Sequence, residues 1–64
     1  MCLLKVYLDD RDANRKLIAK NVALILKENN RVRIRNLNFE EEILDDVEIV
    51  MIDALNSILL LKKR

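Results

Sequence analysis

No glycine and no proline occur anywhere in this chain, and that absence constrains how it can turn. Glycine supplies left-handed backbone and proline presets turn geometry, so a compact fold must reverse direction with other residues. Asparagine is the natural substitute, because it tolerates the left-handed region better than other residues carrying a Cβ. It stands at positions 14, 21, 29, 30, 36, 38 and 56. Glu28-Asn29-Asn30-Arg31, between two hydrophobic segments, reads as the clearest turn. Asp9 to Arg15, polar at nearly every position, reads as a second connection.

Between the turns the pattern is partly that of strands. Residues 31–39 alternate, with Val32, Ile34 and then Leu37 or Phe39 on an apolar side and Arg31, Arg33 and Arg35 opposite, as in a half-buried strand. Leu4, Val6 and Leu8 alternate with Leu3, Lys5 and Tyr7 in the same way. Elsewhere the spacing admits helices. Ile43, Leu44, Val47, Val50, Met51, Ala54 and Ile58 follow a helical repeat, which leaves a helix within 43–55 open. Ile18, Val22, Ile25 and Leu26 do the same for 17–26. Local periodicity alone therefore gives an α+β expectation.

Sixty-four residues make a single domain, 1–64. A domain this small buries only about 60% of the surface its unfolded chain exposes, and such domains lean on disulfides, metals or self-association. One cysteine excludes an intrachain disulfide, which leaves metal binding and oligomerisation. The balance of 12 basic against 11 acidic residues, net +1, lacks the global excess of a nucleic-acid binder. A hydrophobic content of 52% argues against disorder. No apolar run is long enough for a bilayer-spanning helix and no signal-peptide pattern is present, so a soluble, cytoplasmic protein with no membrane partner is expected.

The lone cysteine is Cys2, and the chain has no histidine. Cys2 is thus the only soft metal ligand of ordinary strength and the only strong nucleophile. Two readings stand side by side: a small buried hydrophobe on an N-terminal strand, or a metal ligand with Met1 as a weaker thioether candidate. A catalytic role lacks its base, since a thiol nucleophile is normally activated by histidine. The carboxylates show no spacing of a hard-metal loop. The chain reads as a non-enzyme.

Met1-Cys2-Leu3 and Val6-Tyr7-Leu8 resemble the start of the CooT-type family of small nickel-binding proteins. Leu17-Ile18 and Asn21-Val22-Ala23 with Ile25 are similar to that family's second and third strands. Val32-Arg33-Ile34 and Asn36-Leu37 are similar to its central strand, and Val47 to Asp53 with Leu55 to Leu60 to its closing hairpin. The resemblance covers essentially the whole chain and implies an all-β fold. The implied form is a small antiparallel, strongly curved sheet or barrel of about six or seven short strands that forms a homodimer. It also implies Ni(II) as the metal and a nickel enzyme such as carbon monoxide dehydrogenase as the maturation client. Where the family carries a glycine after the central strand, this chain reads Leu37-Asn38-Phe39-Glu40-Glu41-Glu42, and Asn38 is the residue expected to meet that turn's demands.

A lone thiolate cannot complete the four ligands of a tetrahedral or square-planar site. A twofold dimer would supply two Cys2 thiolates and two adjacent backbone nitrogens if the N-terminal strands meet near the axis. A planar nitrogen–sulfur set suits Ni(II) or Cu(II).

Arg31, Arg33 and Arg35 form a basic stripe of the kind with which small β-barrels bind single-stranded nucleic acid, and the same family is also described as predicted RNA-binding. Only Tyr7 and Phe39 are aromatic, which limits stacking. The stripe is equally an ordinary solvated face, paired with Glu40, Glu41 or Glu42 on a neighbouring strand. A nickel-binding dimer, an RNA-binding module and a plain dimeric adaptor are the three functions the sequence leaves in play.

Overall fold

The computed structural model describes residues 3–64, which form six strands and no helix. The strands are β1 (Leu4–Asp9), β2 (Arg15–Glu28), β3 (Arg31–Asn36), β4 (Glu41–Asp45), β5 (Val47–Asp53) and β6 (Ile58–Lys63). They make one sheet in the order β4-β3-β2-β1-β6-β5. The all-β class implied by the resemblance is therefore observed, and the helices left open at 17–26 and 43–55 are not.

Two details of the expectation are corrected. The sheet is mixed rather than antiparallel, because β1 and β6 pair in parallel from Lys5↔Ile58 to Asp9↔Lys62. It is also open, with β4 and β5 as edges, and neither closes nor curls into a barrel.

The segment expected to hold two strands is one strand of 14 residues, β2. Its first half pairs with β1, from Leu4↔Val22 to Asp9↔Arg15. Its second half pairs with β3, from Val22↔Asn36 to Glu28↔Arg31. Asn21, at φ 56°, stands where the neighbour changes, and irregular register flanks it on both sides, between Leu4 and Val6 and between Val22 and Leu24. A left-handed residue inside a strand redirects it and shifts which side chains face inward. The helix-like spacing of Ile18, Val22 and Ile25 is the result: each packs in or against the core, but across a break in strict alternation.

The core draws fully buried side chains from every strand except β4, which contributes the half-buried Leu44. Val6, Val22, Val32, Val47 and Leu61 are fully buried or nearly so, with Ile34 and Leu59 beside them. In β3 the alternation is as expected, with Val32 and Ile34 inside. Burying one such side chain is worth about 1.5–3 kcal/mol.

The molecule has two ends. At one lie the start of β1, the residue Asn21, the 36–40 turn and the β5–β6 turn: Leu37 N–H donates to the Asn21 carbonyl at 3.1 Å, and Lys5 N–H to the Ser57 carbonyl at 2.9 Å. At the other, Val47 N–H donates to the Asn30 carbonyl at 3.3 Å and Arg64 N–H to the Asp46 carbonyl at 3.0 Å. Asp46 alone separates β4 from β5, so the two edge strands start apart in the sheet order yet are tied together at this second end.

Asparagine is only part of the answer to the missing glycines. Asn21 and Asn29 adopt left-handed backbone, but so do Ala13, Phe39, Asp46 and Ser57. In the 36–40 turn the left-handed residue is Phe39 (φ 63°) rather than Asn38. The polar side chains act mainly as acceptors that close turns. Asn36 Oδ1 accepts from the N–H of Asn38 and of Glu40 at 2.9 and 3.1 Å. Asp10 Oδ1 serves Asp12 and Asn14 in the same manner.

Candidate functional site

Cys2 and Met1 lie outside the described residues. The chain enters the sheet at Leu4, half-buried and paired with Val22, so the end of the molecule that receives the N-terminus is defined. Its neighbours there are Ser57 through the Lys5 bond, Asn21, and Asn36, which pairs with Val22 on the other side of β2.

The polar groups at this end are largely committed to the turns that carry them. Asn56 donates its backbone N–H to Asp53 Oδ1 at 3.1 Å and its side-chain amide to Oδ2 at 2.9 Å. These two bonds hold the Asp53 carboxyl below its ordinary pKa. Glu40 Oε1 accepts from the Asn36 amide at 2.8 Å. Among the described residues no group of three or more cysteine or carboxylate side chains is placed to hold a metal ion. A metal bound at this end would therefore depend on donors from residues 1 and 2.

Apolar side chains are conspicuous here instead. Leu55 is 93% exposed, Phe39 82%, Ile52 66% and Leu37 49%. Leu55 sits in the β5–β6 turn, Phe39 and Leu37 lie just after β3, and Ile52 is near the end of β5. None was singled out as functional in the sequence. The available signal was a phenylalanine and a leucine placed in segments otherwise rich in asparagine and acid.

The arginine stripe is a cross-strand ion-pair ladder. Register places Arg31 opposite Asp45 and Arg35 opposite Glu41 on β4. Arg31 Nε lies 3.0 Å from Asp45 Oδ1, and Arg35 Nη2 lies 2.6 Å from Glu41 Oε2. Arg33 reaches Glu28 at 3.6 Å and Glu41 at 3.5 Å. Its Nε is buried and not aligned for a hydrogen bond even though Glu41 is close. Glu41 thus serves two arginines, and the Arg35 hydrogen bond depresses its pKa. All three guanidiniums face carboxylates of the same sheet, with Glu41 the partner among the three glutamates considered.

No protein-family model matches the chain, and no curated protein matches it. Among solved structures, the crystal structure of putative CooT from Carboxydothermus hydrogenoformans superposes with a TM-score of 0.84, covering 98% of each chain at 13% sequence identity. The two chains share one fold. The resemblance to CooT-type proteins read from the sequence therefore holds for the fold along its whole length. In this chain β1 starts between the Asn21 segment and the β5–β6 turn.

Proposed function

We propose that this protein is a nickel carrier, in which a homodimer holds one Ni(II) through the Cys2 thiolates of both copies and adjacent backbone nitrogens. The cargo would be delivered to a nickel enzyme, with carbon monoxide dehydrogenase the client that the CooT resemblance suggests. The observation that carries this reading is the full-length structural match to putative CooT at a TM-score of 0.84. The chemistry of the chain is consistent with it. With no histidine and one cysteine, one copy cannot complete a coordination sphere, and a second copy can. Proton release on binding makes such a site weaken as pH falls, which suits a protein that must give up its metal. The role is that of an accessory protein rather than a catalyst.

The arginine stripe does not favour the RNA-binding alternative, since each guanidinium already faces a carboxylate. The test of the nickel reading is a titration of the full chain and of Cys2→Ala. One Ni(II) per two chains, accompanied by thiolate-to-metal charge-transfer absorption and lost in the variant, is expected. Equal uptake by the variant, or no uptake by the parent, overturns the reading.

A further inference from the structure

We propose that the free edge of β4 docks an extended, basic segment of a partner protein. The segment adds to the sheet as a further strand and lays a lysine or arginine side chain in the cavity beside Glu42. The proposal goes beyond the nickel reading and draws on nothing from residues 1 and 2.

β4 pairs with β3 through successive partners, from Arg31↔Asp45 to Arg35↔Glu41, without a shift in register. Its other side has no neighbour in the sheet, which leaves a regular row of backbone N–H and C=O groups open. Such a row is a template for another strand. At about 3.4 Å per residue, β4 offers roughly 17 Å of edge. The common protections are missing: β4 has no lysine, the chain has no proline, and no bulge bends this edge. The opposite edge differs, because the register shift between Ile49 and Met51 interrupts the row on β5.

A cavity on the core-facing side of this edge supplies the specificity. β3 ends at Asn36, opposite Val22, so the first half of β2 has no β3 neighbour. A space of about 370 Å³ lies there, with Ile18, Ala19 and Ile34 as its apolar lining. Glu40, Glu41 and Glu42 against the single Lys20 make its polar lining acidic. Glu42 is the register partner of buried Ile34 and shares its face. Glu41 and Asp45 are paired with arginines, whereas among the described residues Glu42 forms no ion pair. A carboxylate beside apolar surface matches a lysine or arginine, whose aliphatic stem covers that surface while the head keeps a polar partner.

Charge decides the class of occupant. From Leu37 to Leu61 the sequence has no lysine or arginine and holds seven of the chain's 11 acidic residues. An acidic edge repels nucleic acid and anionic lipid and attracts a basic polypeptide. A second copy is disfavoured, since antiparallel pairing of two β4 edges about Ile43 sets Glu41 of one copy against Asp45 of the other. A charge on the inward face of an edge ordinarily blocks strand addition, and Glu42 does so for an apolar strand. A basic side chain beside it turns that obstacle into a charge pair. On the other face Ile43, 47% exposed, suits an apolar neighbour. The segment is therefore a short strand in which basic and apolar side chains alternate, bound by main-chain pairing and selected by the cavity.

Calorimetric titration of the full chain with a capped peptide of alternating lysine and valine tests the edge. The peptide should bind the parent, and hydrogen exchange at the β4 amides should slow. Glu42→Lys should raise the dissociation constant roughly tenfold or more, and Glu42→Gln, which keeps the side-chain shape, by a smaller factor. N-methylation of alternate peptide amides removes the strand hydrogen bonds at constant charge. It should weaken binding to the parent by roughly tenfold or more, an arm that needs no variant to fold. Cys2→Ala should bind the peptide as the parent does, so the result stands apart from nickel uptake. No binding to the parent overturns the proposal, as does equal affinity for the N-methylated peptide, which reduces the contact to diffuse charge attraction. An unchanged constant in Glu42→Lys with a parent-like thermal midpoint also overturns it. So does displacement of the peptide by single-stranded RNA, or an affinity that falls as protein concentration rises and thereby places a second copy on the edge.

Discussion

Arg35 and Glu41 are direct register partners across β3 and β4, and their side chains meet at 2.6 Å. The pair closes the 36–40 turn from its open side: Asn36 caps the turn within, while Arg35 and Glu41 join the strands that leave it. Its consequence is a pH dependence with a definite sign. The Glu41 carboxyl is held below its ordinary value of 4.5, chiefly by the Arg35 hydrogen bond. A carboxylate depressed in the folded state contributes stability above its unfolded pKa and loses it as pH falls through the folded value. Urea unfolding of the parent should therefore weaken below about pH 4.5, and Glu41→Gln should show a shallower acid limb at lower starting stability. Identical slopes for the two proteins would remove the pair from the account. Asp10 and Asp53, also depressed by turn hydrogen bonds with Asn14 and Asn56 respectively, leave a residual acid sensitivity in the variant.

The absent glycines make a second prediction. Ala13 takes φ 63° with a Cβ and without a side-chain acceptor to compensate. Ala13→Asn, which relieves the left-handed strain without glycine's flexibility in the unfolded chain, should stabilise by about 0.5–1 kcal/mol. The readout is a higher urea midpoint at unchanged m-value. Ala13→Val should move the midpoint the other way, because a β-branched side chain is disfavoured at positive φ.

A third concerns the core. Ile34 is 2% exposed, between Arg33 and Arg35 on the opposite face. Ile34→Val should cost about 0.5–1.5 kcal/mol and Ile34→Ala about 2–5 kcal/mol. For a small domain the second value is a large fraction of total stability. Chemical denaturation of both variants checks the ranking, and equal losses would contradict close packing at this site.

The proposed metal site adds a fourth, independent of stoichiometry. A ligand that binds only the folded protein raises its melting temperature by mass action. Ni(II) should raise the midpoint of the parent, and the increment should shrink as pH falls and the thiol and nitrogen protons compete. Cys2→Ala should show no increment at any pH. A matching increment in the variant would place the metal elsewhere.

Sequence pattern made some of this fold legible and hid other parts for physical reasons. The β3 alternation and the 28–31 turn were readable because each is set by local pairing, whereas the closing hairpin followed only from the resemblance to CooT-type proteins. The apparent helix within 43–55 came from two interruptions of alternation. Asp46, left-handed at φ 57°, separates β4 from β5, and a register shift between Ile49 and Met51 interrupts β5. Each resets which residues face inward, and the sum imitates a helical repeat. The parallel pairing of β1 with β6 left no local trace, since nothing in either segment encodes a partner at the far end of the sequence. Of the candidate site, Cys2 was visible by elimination and lies outside the described residues. The apolar end around Phe39 and Leu55 was not recognised, because exposure is a property of the assembled sheet.

The parallel β1–β6 ladder also bears on how the protein is made. β1 is synthesised early, yet its parallel neighbour is the last strand of the six, and without it β5 has no pairing partner in the sheet. Such high contact order slows folding and delays the closing step until late. A nascent chain would carry unpaired β1 and β5 edges until β6 has left the ribosome, and that interval is when aggregation competes most strongly with folding.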